Sequence, residues 1–338
     1  MLTRALDAVL DRSLILGYTR IGPALRRRWW PADAAPGSLE GRHVVVTGAT
    51  SGLGEAMVVP LLRLGATVHV LGRNPAKVAD VIGAVRRAHP DLAGEPGQVL
   101  VPEVCDVGDL DAVRAWCADL AARVPVLHGL VHNAGVMVPT RTETAQGHEQ
   151  ALAVHVLGPH LMTELLRPQL AAAAGASGPQ GGGAVVVWMS SGGMYSAGLR
   201  TTPDTIEYRD GTYDGVRGYA RTKRMQVVLA DVWHDRVAAE GIAVYSTHPG
   251  WAATPGVSDS LPGFDKVMGP LLRDAASGAD TAVWLVATRP ASPGRHHFWH
   301  DRAARPTTYP VQREPAAAAV AAFVAYVEEA TGTRAPAR

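Results

Sequence analysis

Thr47-Gly48-Ala49-Thr50-Ser51-Gly52-Leu53-Gly54 is the stretch on which the reading of this chain turns. It follows an apolar run, His43–Thr47, and leads into a helical pattern near 53–64, so it is a glycine-rich turn from strand to helix. Glycines let the backbone bend sharply and approach a pyrophosphate, which the free N–H groups and the dipole of the helix N-terminus then hold. The spacing is G-x-x-x-G-x-G. It differs from the G-x-G-x-x-G of many dinucleotide folds and lacks the Gly-Lys-Ser/Thr of a P-loop. A tight turn with no ligand would use the same residues, so the neighbouring sequence has to decide.

Outward from that turn, apolar runs alternate with helical patterns. Strands are expected at His43–Thr47, Thr67–Leu71, Val99–Val104, Leu127–His132, Ala184–Met189 and Ile242–Thr247, with helices near 53–64, 75–89, 109–123, 144–173, 214–239 and 275–287. Valine-rich strands that do not alternate with polar residues are buried on both faces, as in a parallel sheet covered by helices. Repeated β-α units predict an α/β, doubly wound parallel sheet (Rossmann-type) with helices on both faces, binding its ligand at the carboxyl ends of the strands. The predicted organisation is a helical extension and linker over 1–40, one nucleotide-binding domain over 41–310, and a C-terminal helix and tail over 311–338. The alanine- and glycine-rich Ala171–Gly183 reads as a helix end and a surface loop.

Three strand ends then carry chemistry on one side of that sheet. The second strand closes on Leu71-Gly72-Arg73, about 20 residues past the glycine turn, where an acid would bind the ribose hydroxyls of NAD and an arginine the 2′-phosphate of NADP. Arg73 without an acid favours NADP(H). Cys105-Asp106-Val107 follows the third strand and Asn133-Ala134-Gly135 the fourth. Each could be an ordinary turn, but their shared position at strand ends points to a ligand. In the long helix near 214–239, Tyr219 and Lys223 sit four apart and leave one helix face, so their polar heads can work on one site. The chain has only three lysines, Lys77, Lys223 and Lys266.

Composition bounds the alternatives. The chain has 338 residues, 47% hydrophobic and 19% charged, with a net charge of +1. That balance argues against a nucleic-acid partner, because no basic excess is available to neutralise phosphates. The two cysteines, Cys105 and Cys117, form no disulfide or zinc pattern and fit a reducing, cytoplasmic compartment. No metal site is expected: His296, His297 and His300 cluster near Trp299, but they lack a ligand set and read better as a final strand. In residues 1–30, Leu2, Leu6, Val9, Leu10, Leu14, Leu16 and Ile21 recur at near-helical spacing before Arg26-Arg27-Arg28-Trp29-Trp30. No apolar run approaches the ~20 residues of a spanning helix. Such an amphipathic stretch suits a peripheral membrane surface, or packing on the body of the protein or on a second subunit in a homo-oligomer.

The order Thr-Gly-x-x-x-Gly-x-Gly, Asp106, Asn133-Ala134-Gly135, Ser190-Ser191, Tyr219-x-x-x-Lys223, Pro249-Gly250 and Thr254 resembles the short-chain dehydrogenase/reductase family over about residues 41–290. More narrowly, Tyr219–Leu229, His248–Val257 and Leu261–Phe264 resemble an orphan subgroup, dehydrogenase/reductase family member 12. The resemblance implies that Thr47, Gly48, Ser51, Gly52, Leu53 and Gly54 cradle the cofactor and that Asp106 contacts the adenine. It places Asn133, Ala134 and Gly135 near the ribose, and Pro249, Gly250 and Thr254 at the nicotinamide. It makes Ser191 the hydroxyl that holds the substrate oxygen, Ser190 its structural neighbour, Tyr219 the general acid/base and a cofactor-binding residue, and Lys223 the residue that holds the ribose and tunes the phenol. A phenol pKa of about 10 lies about three units, or ~4 kcal/mol, from neutrality. One positive charge about 4 Å away at an effective dielectric of 20 supplies about that much.

The implied activity is NADP(H)-dependent interconversion of a carbonyl and an alcohol. An epimerase or dehydratase would suit the same fold, and a non-catalytic NADP(H)-binding or sensor protein is the alternative from another class. One departure favours the sensor: where the family carries an asparagine within Val-Asn-x-x-Gly, this chain has Val154-His155-Val156-Leu157-Gly158. In the family that residue's main-chain carbonyl holds a water of the proton relay, so His155 is expected to keep the carbonyl and alter the relay; its ring could titrate near neutral pH and join, although a lone histidine in an apolar helix is more often structural. Tyr195 and Tyr213 are expected to line the substrate pocket, and Trp251–Asp274 to close as a lid over an apolar substrate.

Overall fold

The computed structural model describes residues 2–93, 99–175, 183–253, 263, 266, 268–309 and 312–334. Eight strands form one sheet: β1 (His43–Thr47), β2 (Thr67–Gly72), β3 (Leu100–Val104), β4 (Gly129–His132), β5 (Ala184–Met189), β6 (Ile242–Thr247), β7 (Phe298–His300) and β8 (Ala303–Ala304). Their order is β3-β2-β1-β4-β5-β6-β7-β8, parallel throughout except for the antiparallel β8. The strand order reverses between β1 and β4, which opens a crevice at their carboxyl ends.

The valine runs explain the two layers. Successive strand side chains point to opposite faces. Val45 and Val186 therefore join one core with the helices over Leu110–Arg123 and Gly215–Val237, while Val44, Val46, Val185 and Val187 join a second core on the other face. In chain order the helices are α1 (Leu2–Arg12), α2 (Leu14–Tyr18), α3 (Ile21–Arg26), α4 (Gly52–Arg63), α5 (Pro75–Ala88), α6 (Pro90–Ala93), α7 (Leu110–Arg123), α8 (Gln150–Leu152), α9 (Gly158–Leu165), α10 (Arg167–Ala172), α11 (Pro203–Ile206), α12 (Gly215–Val237), α13 (Ala275–Thr288) and α14 (Ala317–Thr331). Helices α4, α5 and α13 cover the second core, and α14 sets Phe323 and Val327 into the first.

The helix expected over 144–173 is broken. It begins only at Gln150, where the Glu149 carboxylate accepts from the Ala151 and Leu152 N–H groups, 2.9 and 2.7 Å away. Ala153–Leu157 then forms a π-helical turn before α9. β8 was not legible because two residues carry no periodicity; Asp301 and Arg302, both at positive φ, make the turn into it.

The N-terminal pattern is also three short helices rather than one. Ser13 caps α2 by accepting from the Leu16 N–H, and Arg20 leads into α3. These helices pack on the body of the domain. Arg26 donates to Asp7 (2.8 Å) and to Asp301 (2.7 Å), Arg305 reaches Asp7 at 2.6 Å, and Arg273 donates to the carbonyl of Tyr18 at 2.9 Å. The linker expected at Pro31–Ser38 lies against the domain too: Trp284 donates to the Ala32 carbonyl and Arg302 pairs with Asp33. Leu6, Val9, Ile15 and Leu16 stay exposed on this extension. No helix among the described residues is long and apolar enough to cross a membrane.

Candidate active site

The carboxyl ends of β1 and β4 are locked together before any ligand is considered. Thr47 Oγ1 donates to the Val131 carbonyl (3.2 Å) and accepts from the N–H groups of Asn133 and Ala134, both at 2.9 Å. Asn133 Nδ2 returns to the Thr47 carbonyl at 2.9 Å. Two glycines fit this junction for steric reasons. Gly48 has φ +65° and a Cβ there would lie 2.8 Å from Ala134 Cα; a Cβ on Gly54 would strike the Gly48 carbonyl and the Asn133 amide. The space kept clear is a cleft of about 480 Å³.

Gly48, Ser51, Gly52, Leu53, Arg73, Asp106, Asn133, Ala134, Gly135, Tyr219, Lys223 and Pro249 all line that cleft. Thr47 and Gly54 support it from behind, through the contacts just described. Asp106 holds its own loop by accepting from the Gly108 N–H at 2.9 Å. Gly250 sits at positive φ beside Arg273 and the Tyr18 carbonyl, and Thr254 lies outside the described residues. Sequence reasoning missed Thr50, Asn74, Lys77, Val154 and Met189, which line the cleft as well. Lys77 had a usable signal. Asn74 caps α5 by accepting from the Ala76 and Lys77 N–H groups, so Lys77 stands in the first helical turn beside Arg73.

Helix α12 brings Tyr219 and Lys223 to the inner end of the cleft, with Lys223 Nζ 5.2 Å from the centre of the tyrosine ring. Ser191, which opens the turn Gly192–Ser196, hydrogen-bonds the Tyr219 phenol. Ser190 lines the cleft and donates to the Lys223 carbonyl at 2.8 Å, anchoring the helix. Lys223 Nζ donates to the Met189 carbonyl (2.8 Å) and to Gln226 Oε1 (3.0 Å). Burial pushes this lysine down to about 7 and pushes the Tyr219 phenol up, while the Ser191 hydrogen bond draws the phenol down. The expected lowering of the phenol by Lys223 does not figure here, where only Ser191 opposes burial.

His155 does not titrate into this cluster. Its Nε2 accepts from the Val136 N–H at 3.0 Å, so the proton must sit on Nδ1, which donates to Thr222 Oγ1 at 2.8 Å; that hydroxyl donates on to the Tyr219 carbonyl. Burial, with Lys223 nearby, holds the ring well below its usual pKa. The imidazole also meets the Tyr219 ring edge-on, centroids 5.4 Å apart. It is a neutral strut between the β4 loop and α12, the structural role that a lone histidine in an apolar helix more often has.

Residues 42–202 match the profile of the short chain dehydrogenase family. Human dehydrogenase/reductase SDR family member 12 is 34% identical over 275 residues, spanning 80% of this chain and 81% of that protein. The chain belongs to the short-chain dehydrogenase/reductase family. Retinol dehydrogenase 14 of Mus musculus is 31% identical over 300 residues, 84% of each chain. Among solved structures, a candidate NAD(P)-dependent gluconate 5-dehydrogenase from Beutenbergia cavernae, with NADP bound at low occupancy, superposes with a TM-score of 0.57 at 22% identity, covering 75% of this chain and 92% of that one.

Within this dehydrogenase/reductase two further expectations fail. Tyr195 does not reach the cleft: its hydroxyl donates to the Pro306 carbonyl at 2.5 Å and its ring stacks on Tyr309 at 4.3 Å. Tyr213 donates to Glu149 at 3.0 Å and packs on Tyr208. Both aromatics were read from loop position alone, and their hydroxyls are instead satisfied within the fold. Much of the lid expected over Trp251–Asp274 lies outside the described residues; its ends pair through Ala253 N to Arg273 O and Arg273 N to Trp251 O, both 2.8 Å. In the late histidine cluster His296 pairs with Asp231 and Glu314 while His300 stacks on His248 at 3.8 Å. No group that could hold a metal ion occurs among the described residues.

Proposed function

We propose that this protein is an NADP(H)-dependent oxidoreductase that interconverts a carbonyl and an alcohol, with Tyr219 as general acid/base. The observation that carries the reading is the pairing of Tyr219 and Lys223 on a cleft that Arg73 and Lys77 also line, with Ser191 beside the Tyr219 phenol. The nicotinamide cofactor supplies or accepts the hydride when bound. The substrate oxygen then gains or loses a proton, and the protein's residues manage that proton. The Ser191 hydroxyl orients the oxygen, and the Tyr219 phenol gives its proton to it in reduction or takes one in oxidation. A phenol raised by burial keeps its proton at neutral pH, the state that reduction requires. Lys223, with two of its protons held by Met189 and Gln226 and its head on the cleft, offers a third to whatever binds there.

The NADP(H) preference rests on charge. Arg73 and Lys77 line the cleft where β2 ends, and the turn Gly72-Arg73-Asn74 carries no acid that a ribose 2′-hydroxyl would need. Similarity to retinol dehydrogenase 14 supports an apolar substrate. Fluorescence titration with NADPH and NADH tests the cofactor. Tighter NADPH binding is expected, and Arg73→Ala or Lys77→Ala should each weaken NADPH about tenfold or more while leaving NADH within about twofold, since a charge-assisted phosphate contact contributes about 1.5–3 kcal/mol. Equal losses for both cofactors would sink the phosphate role.

A further inference from the structure

The side chain behind Lys223 is a glutamine with no solvent and no spare partner. Gln226 is 0% exposed and lies one helical turn beyond Lys223 on α12. Its Oε1 accepts from Lys223 Nζ at 3.0 Å, and its Nε2 donates to the main-chain carbonyl of His155 at 2.9 Å. The amide cannot be reversed, because an ammonium only donates and a carbonyl only accepts. Pro159, four residues after His155, has no N–H to give that carbonyl an α-helical hydrogen bond, which leaves room for the amide on it. The π-helical turn over Ala153–Leu157 and the locked His155 imidazole then fix where that carbonyl lies.

From this geometry we infer that Gln226 is a positioning residue for Lys223, tying the lysine head to the His155 carbonyl and setting its charge state at the inner end of the cleft. The inference rests on the reading of Tyr219 and Lys223 given above, and it adds a residue that neither touches substrate nor lines the cleft. The place where the resemblance leads one to expect a water on the carbonyl of residue 155 is served by a side-chain amide. An amide near neutral pH neither gives nor takes a proton, so this link transmits hydrogen-bond order and carries no proton. Proton exchange at Lys223 is left to its cleft side. Lys223 has a neutral acceptor on each hydrogen-bonded side, Met189 O and Gln226 Oε1. The positive end of the amide rests on another carbonyl. Its charge state is accordingly sensitive to the identity of residue 226.

The chain's three lysines make this measurable without knowing the substrate. Protein labelled with carbon-13 at lysine Cε gives three resonances, and the one absent from Lys223→Met is assigned to Lys223. Its titration would be followed in the wild type, Gln226→Glu and Gln226→Met. A carboxylate at 226 favours the ammonium and should move the Lys223 midpoint up by about one pH unit or more; methionine removes an acceptor and should move it down. If one variant fails to fold, the other still tests the sign. With any carbonyl turned over in a Tyr219-dependent way, the pH profile of kcat should move in the same directions with little change in KM. An unmoved Lys223 midpoint in the folded variants would reduce Gln226 to packing. Normal shifts without turnover by the wild type would leave Gln226 in place and count against the reductase reading instead.

Discussion

His155 shows at the scale of one residue how a departure from a family pattern can keep a site intact. Its side chain satisfies the Val136 N–H and the Thr222 hydroxyl and backs the Tyr219 ring, all with the neutral imidazole. His155→Ala would leave the half-buried Val136 N–H unpaired and a cavity behind the tyrosine, at a cost of about 3–5 kcal/mol. Urea denaturation should show that loss; a change below about 1 kcal/mol would mean that the strut is dispensable. The sequence named His155 because it broke a motif, but it could not say which nitrogen carries the proton, since the partners lie 19 and 67 residues away. Gln226 was illegible for a related reason. A glutamine among apolar residues of a helix looks ordinary until the fold supplies its neighbours, whereas Lys77 could have been read from the Asn74 cap beside Arg73.

At the scale of elements, the central strands and the long helices were legible because their burial is written locally, in valine runs for the sheet and in capping residues for α5, α7, α12 and α13. The broken helix around Pro159 was not, because Glu149 as a cap and the π turn depend on contacts across the chain. The segment before β7 carries a pH dependence of its own. His296 hydrogen-bonds Asp231 and Glu314, which raise its pKa to about 9 against partial burial. A histidine raised in the folded state stabilises fully below its unfolded value of about 6.5, and that contribution is lost as pH rises through about 9. Thermal melts of wild type and His296→Gln should therefore be furthest apart near pH 6 and converge above pH ~9.5. A gap that does not depend on pH would assign His296 to packing.

For the whole molecule, the N-terminal extension is part of the structure that backs the site. Arg26, Arg273 and Asp301 are buried together, joining α3, the segment before α13 and the β7–β8 turn. Tyr18 packs against Gly192 in the turn after Ser191 and accepts through its carbonyl from the Trp251 N–H at 2.7 Å. Sequence patterning showed that residues 1–30 form an amphipathic stretch and could not show which surface receives it, because the acceptor Asp301 lies 275 residues away from Arg26. Arg26→Met should cost about 3–5 kcal/mol, as expected when one partner of a buried ion pair is removed. A stability within 1 kcal/mol of wild type would show the extension to be loosely attached.

The central claim is tested most directly by following NADPH oxidation across a panel of apolar ketones and aldehydes with wild type and Tyr219→Phe. The account predicts turnover by the wild type and a loss of about 100-fold or more in kcat for the variant, with NADPH affinity changed far less than kcat, because the phenol supplies a proton in the transition state. Turnover that survives in Tyr219→Phe, or tight NADPH binding with no turnover by the wild type, would contradict it.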